Sequence, residues 1–223
     1  MRKILALAVA ILFAVNIQAQ TNKFTENFTT GIDIFNDFVQ DSPEGIQFKD
    51  VNLGSNIYGM YNYVIPKSKI SLAIGLGLGM HNLRSNGILT DTSNVSYFVP
   101  YPDKVNNVAV DYSANKLQLT YLDIPAEIRF KSEKGFRLAL GIKAGYLISA
   151  HTKFKGDNPE GGRAIKIKEG NLPNLEKWRF GPTFQIGYKW VNFTGFYSLS
   201  KVFVNPNGPQ IYPVSIGIAL RPF

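Results

Sequence analysis

From Ile70 to Met80 the chain places Ile70, Leu72, Ile74, Leu76, Leu78 and Met80 on one parity and Ser71, Ala73, Gly75, Gly77 and Gly79 on the other. Side chains on a strand alternate between faces, so one face of this segment is wholly apolar and the other is tiny or polar. In a soluble sandwich the apolar face meets bulky apolar partners and the second face carries charge. Here the second face carries almost no side-chain volume, as a crowded barrel lumen requires, and the pattern predicts a strand whose apolar side looks at lipid.

Seven further segments alternate and are long enough for the ~9 to 11 residues that cross a membrane at a tilt. The first covers about residues 27–35, with Ile32 and Ile34 against Gly31 and Asp33, and the second about 52–65, with Ile57, Tyr61, Tyr63 and Ile65 on one parity. After the 70–80 segment, a strand over about 117–130 sets Leu122, Ile124, Ala126, Ile128 and Phe130 against Tyr121, Asp123, Pro125, Glu127 and Arg129. The next, about 136–150, sets Phe136, Leu138, Leu140, Ile142, Ala144, Tyr146 and Ile148 against Arg137, Ala139, Gly141, Lys143, Gly145 and Ser149. A sixth, 178–190, alternates Trp178, Phe180, Phe184, Ile186, Tyr188 and Trp190 with Arg179, Gly181, Thr183, Gln185, Gly187 and Lys189, its aromatics bracketing the span as interfacial girdles do. Segments over 193–203 and from Tyr212 to the end complete the set.

The connections near 66–69, 131–135 and 191–192 are short, whereas those near 36–51, 82–116, 151–177 and 204–210 are longer. Short and long connections in alternation put the tight turns on one side of a membrane and the large loops on the other. A bilayer admits a sheet only when every backbone group is paired, which requires a closed barrel without an edge. The expected fold is therefore all-β, an eight-stranded antiparallel transmembrane β-barrel with short periplasmic turns and long extracellular loops.

Arg2 and Lys3 precede an apolar run from Ile4 to Val15, and Ala19 offers a cleavage point before Gln20. Residues 1–19 read as a secretory signal peptide, leaving residues 20–223 as one barrel domain. The run is shorter than the ~20 residues of a helical span, and no later segment is apolar enough for one. The chain has no cysteine, which excludes a lipidated N-terminus and a disulfide framework. Without Arg2 and Lys3 there remain 22 basic against 16 acidic residues, so the formal charge falls from +8 to +6. A basic balance at a bacterial surface suggests outer-membrane lipid as partner, with lipopolysaccharide the nearest polyanion, although a solubilising surface explains it equally. An exported chain with no stacking motif does not point to nucleic acid.

The run Tyr121-Leu122-Asp123-Ile124-Pro125, followed by an alternating strand and a tight charged turn, resembles the PorT-like outer-membrane β-barrel family. The resemblance covers nearly the whole mature chain, and Asp123 stands where the family commonly has Glu. It implies a small eight-stranded barrel with a signal peptide. One branch of the family is associated with type nine secretion, a role the resemblance does not carry to this chain. The terminal Phe223 is similar to the final aromatic by which such barrels are recognised for assembly, but the parity leading back from it holds Arg221, Ala219 and Gly217, while the apolar series ends at Leu220.

Lumen-facing charge is the main candidate for a role beyond packing. Asp123, Glu127, Arg129, Arg137, Lys143, Arg179 and Lys189 carry both signs, and an eight-stranded barrel is only wide enough for side chains, so they are expected to form a paired plug. If the turn at 131–135 is symmetric, Asp123 faces Lys143 and Glu127 lies between Arg129 and Arg137. A narrow gated conduit is the alternative. The two histidines, His81 and His151, fall at outer strand ends, but neither has a convincing nucleophile and orienting group beside it, with Ser85 and Ser149 the available neighbours. No zinc site or other cofactor is indicated. Gly75, Gly77 and Gly79 lack phosphate-loop spacing and are read as relief of lumen crowding. In the loops, Tyr97, Phe98 and Tyr101 belong to an aromatic and proline cluster suited to docking a partner or folding over the barrel mouth. Lys153, Lys155, Arg163, Lys166 and Lys168 suit lipopolysaccharide phosphates. The functions in order are a non-enzymatic structural or binding barrel, accessory to an envelope or secretion complex; a narrow porin-like channel; and an outer-membrane lipid hydrolase.

Overall fold

The computed structural model describes residues 27–102, 104–105, 108–109, 111–157, 164–170 and 172–221. The leader reading of residues 1–19, the terminal Phe223 and Arg163 lie outside the described residues. Eight strands form a closed antiparallel barrel: β1 (Phe28–Gln40), β2 (Leu53–Val64), β3 (Ile70–Arg84), β8 (Tyr112–Lys131), β9 (Phe136–Gly156), β11 (Trp178–Tyr188), β12 (Val191–Tyr197) and β13 (Tyr212–Leu220). β1 pairs with β13 on one side and β2 on the other, and β8 with β9 completes the ring. The remaining short strands belong to the loops: β4 (Gly87–Thr92) and β5 (Val95–Pro100) make a hairpin, as do β6 (Lys104–Val105) and β7 (Val108–Ala109), and β10 (Ile165–Gly170) pairs with the part of β9 that β11 leaves uncovered.

The short turns cluster at one end. Lys189-Trp190 joins Tyr188 to Val191, with Lys189 at φ 51°. At the β8–β9 turn the amide of Ser132 donates to the carbonyl of Phe136 at 2.9 Å, and Gly135 takes φ 93°, a three-residue loop of the kind that needs glycine in the left-handed region. At the other end β3, β8 and β9 run on past the segments expected from the sequence, so much of the anticipated loop 82–116 and 151–177 is sheet.

The outer surface reverses the usual order of burial. Ile142 is 68% exposed and Leu76 59%, and Leu140, Ile128, Ile74 and Ile218 are likewise exposed, while Asp123 and Arg179 are 3% and 4% exposed. Withholding a Leu or Ile side chain from an apolar environment forgoes about 1.5–3 kcal/mol. Some ten of them in water would offset the whole ~5–15 kcal/mol stability of a domain, so this belt is solvated by hydrocarbon. Trp178, Tyr188 and Trp190 stand exposed at its two edges.

Beyond the belt the loop end has a conventional core. Leu83, Leu117 and Leu119 from β3 and β8 bury against Leu89, Leu175, Val202, Phe203 and Ile211 from the loops. The seventh strand was expected to reach residue 203 but β12 stops at Tyr197. Ser198 Oγ donates to the Ser200 carbonyl at 2.9 Å, and the chain then turns across the mouth to bury Val202 and Phe203.

Candidate functional site

Period-two alternation on a closed sheet sends every second side chain inward, and in this barrel all eight strands contribute to one polar interior. Among the described residues the buried charged side chains comprise four carboxylates, Asp33, Asp37, Asp123 and Glu127, and four cations, Arg129, Lys143, Arg179 and Arg221. They balance, and each cation meets a carboxylate or a hydrogen-bond acceptor.

Nearest the loop end, Arg179 Nη2 of β11 donates to both oxygens of Asp123 at 3.0 and 2.8 Å, and Lys143 Nζ lies 3.7 Å from Asp123 Oδ2. The guanidinium carbon of Arg179 sits 3.8 Å from the centre of the Tyr121 ring, and Lys143 Nζ sits 4.1 Å above Phe196, so aromatic faces cover these cations where no carboxylate does. Arg179 Nη1 also contacts His81 Nε2 at 2.6 Å, while His81 Nδ1 is 2.8 Å from Asp37 Oδ2. A guanidinium only donates, so Nε2 must accept and the proton sits on Nδ1, donated to Asp37. Asp37 Oδ1 accepts from Ser215 Oγ at 2.6 Å.

Toward the turn end, Glu127 receives Arg221 at 3.0 and 3.2 Å and Arg129 Nε at 2.8 Å. Arg221 Nε donates to Tyr58 Oη at 2.7 Å, whose own proton goes to Asp33 Oδ1 at 3.0 Å. Arg129 Nη1 donates to Asn62 Oδ1, and Asn62 Nδ2 to Thr29 Oγ1. Glycines make the room. A Cβ on Gly79 would stand 2.7 Å from Asp123 Oδ2 and 2.8 Å from Arg179 Nη2, closer than any tolerable contact. Among the described residues the filling leaves a void of about 40 Å³ in the centre and another of about 150 Å³ at the turn end; Gln185 and Arg221 line both.

Five of the seven candidate lumen residues, Asp123, Glu127, Arg129, Lys143 and Arg179, lie buried in these networks. The expected facing of Asp123 and Lys143 is corrected: the β8–β9 turn centres one residue later than assumed, so Asp123 opposes Gly145, Lys143 opposes Pro125, and their contact is diagonal. Glu127 likewise sits between Arg129 and Arg221, and Arg137 is half-buried beside the turn-end void. Lys189 is not in the lumen. The β11–β12 turn begins at that residue, leaving it exposed, with Nζ 5.3 Å from the Tyr188 ring centre. Sequence reasoning missed Asp37, because β1 runs five residues past its expected end, and it left Asp33, Tyr58, His81 and Arg221 out of the network although their parity was readable.

Asp37 stands between Ser215 and His81, and the far nitrogen of His81 is taken by Arg179, so no hydroxyl is aligned with this imidazole for nucleophilic attack. His151 opposes Gln118 and Gly170 on the outer face, and Ser85 Oγ is bound to the Gly87 carbonyl. Among the described residues no group of three or more ligating side chains is placed to hold a metal.

In the loops, Phe98 packs edge-on against Phe203 at 6.1 Å and Phe48 at 5.8 Å. Tyr101 is buried against Phe154 and donates its hydroxyl to the Asp157 carbonyl at 2.8 Å. Both are thereby committed to the cap over the barrel mouth, whereas Tyr97 is exposed, 3.1 Å from Thr92 Oγ1. Lys153 and Lys155 of β9 pair in register with Lys168 and Lys166 of β10.

Residues 18–204 match the family model described as outer membrane protein beta-barrel domain. Two crystal structures of Ail, the attachment invasion locus protein of Yersinia pestis, one of them with the heparin analogue sucrose octasulfate, are 13% and 12% identical. Each match covers 87% of this chain and 97% of that one at a TM-score of 0.39. A triple mutant of the Rhodopseudomonas blastica porin is 8% identical, with 87% of this chain and 99% of that one covered at a TM-score of 0.23. No curated protein matches the sequence.

Proposed function

This chain belongs to the outer membrane protein beta-barrel domain family, and on that premise we propose that it is a non-enzymatic barrel with a closed lumen, serving a structural or binding role in the Gram-negative envelope as an accessory subunit of an envelope or secretion complex. The observation that carries the reading is the buried network in which Asp123 takes Arg179 and Lys143 and Glu127 takes Arg129 and Arg221, with Asp33 and Asp37 held by hydrogen bonds, drawn from β1, β8, β9, β11 and the residue that follows β13. Charges paired this way hold the strands in register, and separating any pair leaves an uncompensated buried charge at a cost of about 3–5 kcal/mol. The His81 environment supports the absence of catalysis, since its two nitrogens are spent on Asp37 and Arg179. The Tyr121-to-Pro125 motif supports placement in the PorT-like branch. Its proline falls where the β3–β8 ladder lapses between Ile74–Ala126 and Gly77–Asp123, as a residue without an amide proton requires.

A narrow channel is the second reading, favoured by the two voids that share Gln185 and Arg221, since a swing of Arg221 off Glu127 would join them. Two experiments separate the readings. The purified barrel in planar bilayers is expected to show no steady single-channel conductance, and affinity purification from crosslinked envelopes is expected to bring down a stoichiometric envelope protein. Conductance steps with no companion protein would favour the channel.

A further inference from the structure

The outer face of the sheet above the belt carries a row of cations that no single segment reveals. In register, Arg84 of β3 opposes Lys116 of β8, Lys116 opposes Lys153 of β9, and Lys153 opposes Lys168 of β10; one step higher, Lys155 opposes Lys166. Their sequence neighbours Leu83 and Leu117 are buried in the loop-end core and Phe154 is buried against Tyr101, which sends these basic side chains outward. Like charges directly opposite on adjacent strands repel, and none of the six joins an ion pair among the described residues. The outward positions of the four strands hold no carboxylate: Glu169, beside Lys168, falls on the other parity. At ~4.8 Å between strands the row spans about 14 Å.

Its height selects the ligand. Lys153 lies five residues beyond Ile148, and Lys116 six beyond Leu122, each the last exposed large hydrophobic of its strand's belt. At ~3.4 Å per residue and a tilt of ~40°, the row stands about 13–16 Å above the hydrocarbon edge. A phospholipid headgroup layer is only about 5–7 Å deep, so the row rises above it into the space that the sugars of a glycolipid fill.

We propose that Arg84, Lys116, Lys153, Lys168, Lys155 and Lys166 form a binding site for the anionic, phosphate-bearing sugar headgroup of lipopolysaccharide. The ligand neutralises a repulsion that the fold by itself leaves standing, and the multivalent row matches a headgroup with several negative groups rather than one. The site rests on the outer-membrane reading of the barrel and would fail separately from it.

The test uses the full barrel folded in phosphatidylcholine nanodiscs that also hold rough lipopolysaccharide with a phosphorylated inner core, the same glycolipid dephosphorylated, lipid A alone, or phosphatidylglycerol. Native mass spectrometry reads the fraction of barrel retaining each lipid. The phosphorylated glycolipid is expected to be retained at least tenfold more than phosphatidylglycerol or the dephosphorylated form, and more than lipid A. The triple variant K116Q/K153Q/K168Q is expected to lose this preference, and K67Q/K134Q/K189Q, which removes equal charge at the turn end, to keep it. Heat-modifiable migration shows whether each variant is folded; if the first is not, the comparison of phosphorylated with dephosphorylated glycolipid on the wild-type barrel decides alone. Equal retention of the two forms, or unchanged retention in a folded triple variant, overturns the site. Displacement by millimolar inorganic phosphate would assign the row to free anions and overturn it equally. A barrel that never enters the nanodisc refutes the membrane reading instead.

Discussion

Arg179 and Asp123 meet inside the lumen over Gly145 of the intervening strand β9, one guanidinium nitrogen lying 3.0 and 2.8 Å from the two carboxylate oxygens, although the residues are 56 positions apart in the chain. Through His81 the same arginine reaches Asp37, so one side chain ties β1, β3, β8 and β11 together. Asp123→Asn is expected to destabilise the barrel by about 3–5 kcal/mol, because Arg179 and Lys143 both lose their buried counter-charge. Urea titration of the barrel in phosphatidylcholine vesicles checks this. In a double-mutant cycle, adding Arg179→Met is expected to restore part of the loss, whereas strict additivity would show that the pair is not coupled.

Gly145→Ala and Gly79→Ala are expected to be more harmful than an exposed glycine change, since each new methyl meets the Asp123–Arg179 pair and must displace it. Overpacking of this kind costs about 1–3 kcal/mol. Gly170→Ala is the control, because the nearest atom to its Cβ would be 4.0 Å away. Equal stability of all three by the same urea titration would contradict the account of the lumen glycines.

A lysine on the lipid face is expected to be costly by depth. Ile142→Lys, 68% exposed on the belt, is expected to lose about 2–4 kcal/mol, while Gln118→Lys, on the outward parity above the belt, should change little. Folding yields into vesicles measure both, and a soluble, folded Ile142→Lys barrel would be the adverse result.

These elements differ in how far the sequence discloses them. The alternation of Leu138, Leu140 and Ile142 with Ala139, Gly141 and Lys143 reports which way each side chain points, because the period of a strand is a local property. The partner of a side chain is not local. A one-residue difference in where the Ser132–Phe136 turn closes moved Lys143 from Asp123 to Pro125, and the row from Arg84 to Lys168 exists only through the registers of four strands joined by long loops. Lys189 obeyed the parity of its strand yet lay in the turn, since strand ends are set by where the ladder stops. The loop-end cap was equally hidden: Phe203 and Leu117 become neighbours in one core only after the barrel closes.

That cap is expected to be separable from the barrel. Phe203 is 1% exposed and packs edge-on to Phe98, so Phe203→Ala removes about 3–5 kcal/mol of core packing at the mouth while leaving the lumen network untouched. Limited proteolysis should then cut the loops around residues 92–95 and 198–211 faster, with the transmembrane strands still protected. Loss of the whole barrel on this substitution would show the cap and barrel to be one cooperative unit.

The most direct measurement of hydrocarbon around the barrel uses its only two tryptophans, Trp178 and Trp190, which stand 57% and 63% exposed at opposite edges of the belt. In vesicles of phosphatidylcholines brominated at defined acyl positions, both should be quenched, more by bromines near the headgroup than by bromines near the chain end, and W178F and W190F should each retain that depth profile for the remaining indole. Tryptophan emission indifferent to bromine at every depth, from a barrel that is monodisperse without detergent, would contradict a lipid-facing outer surface.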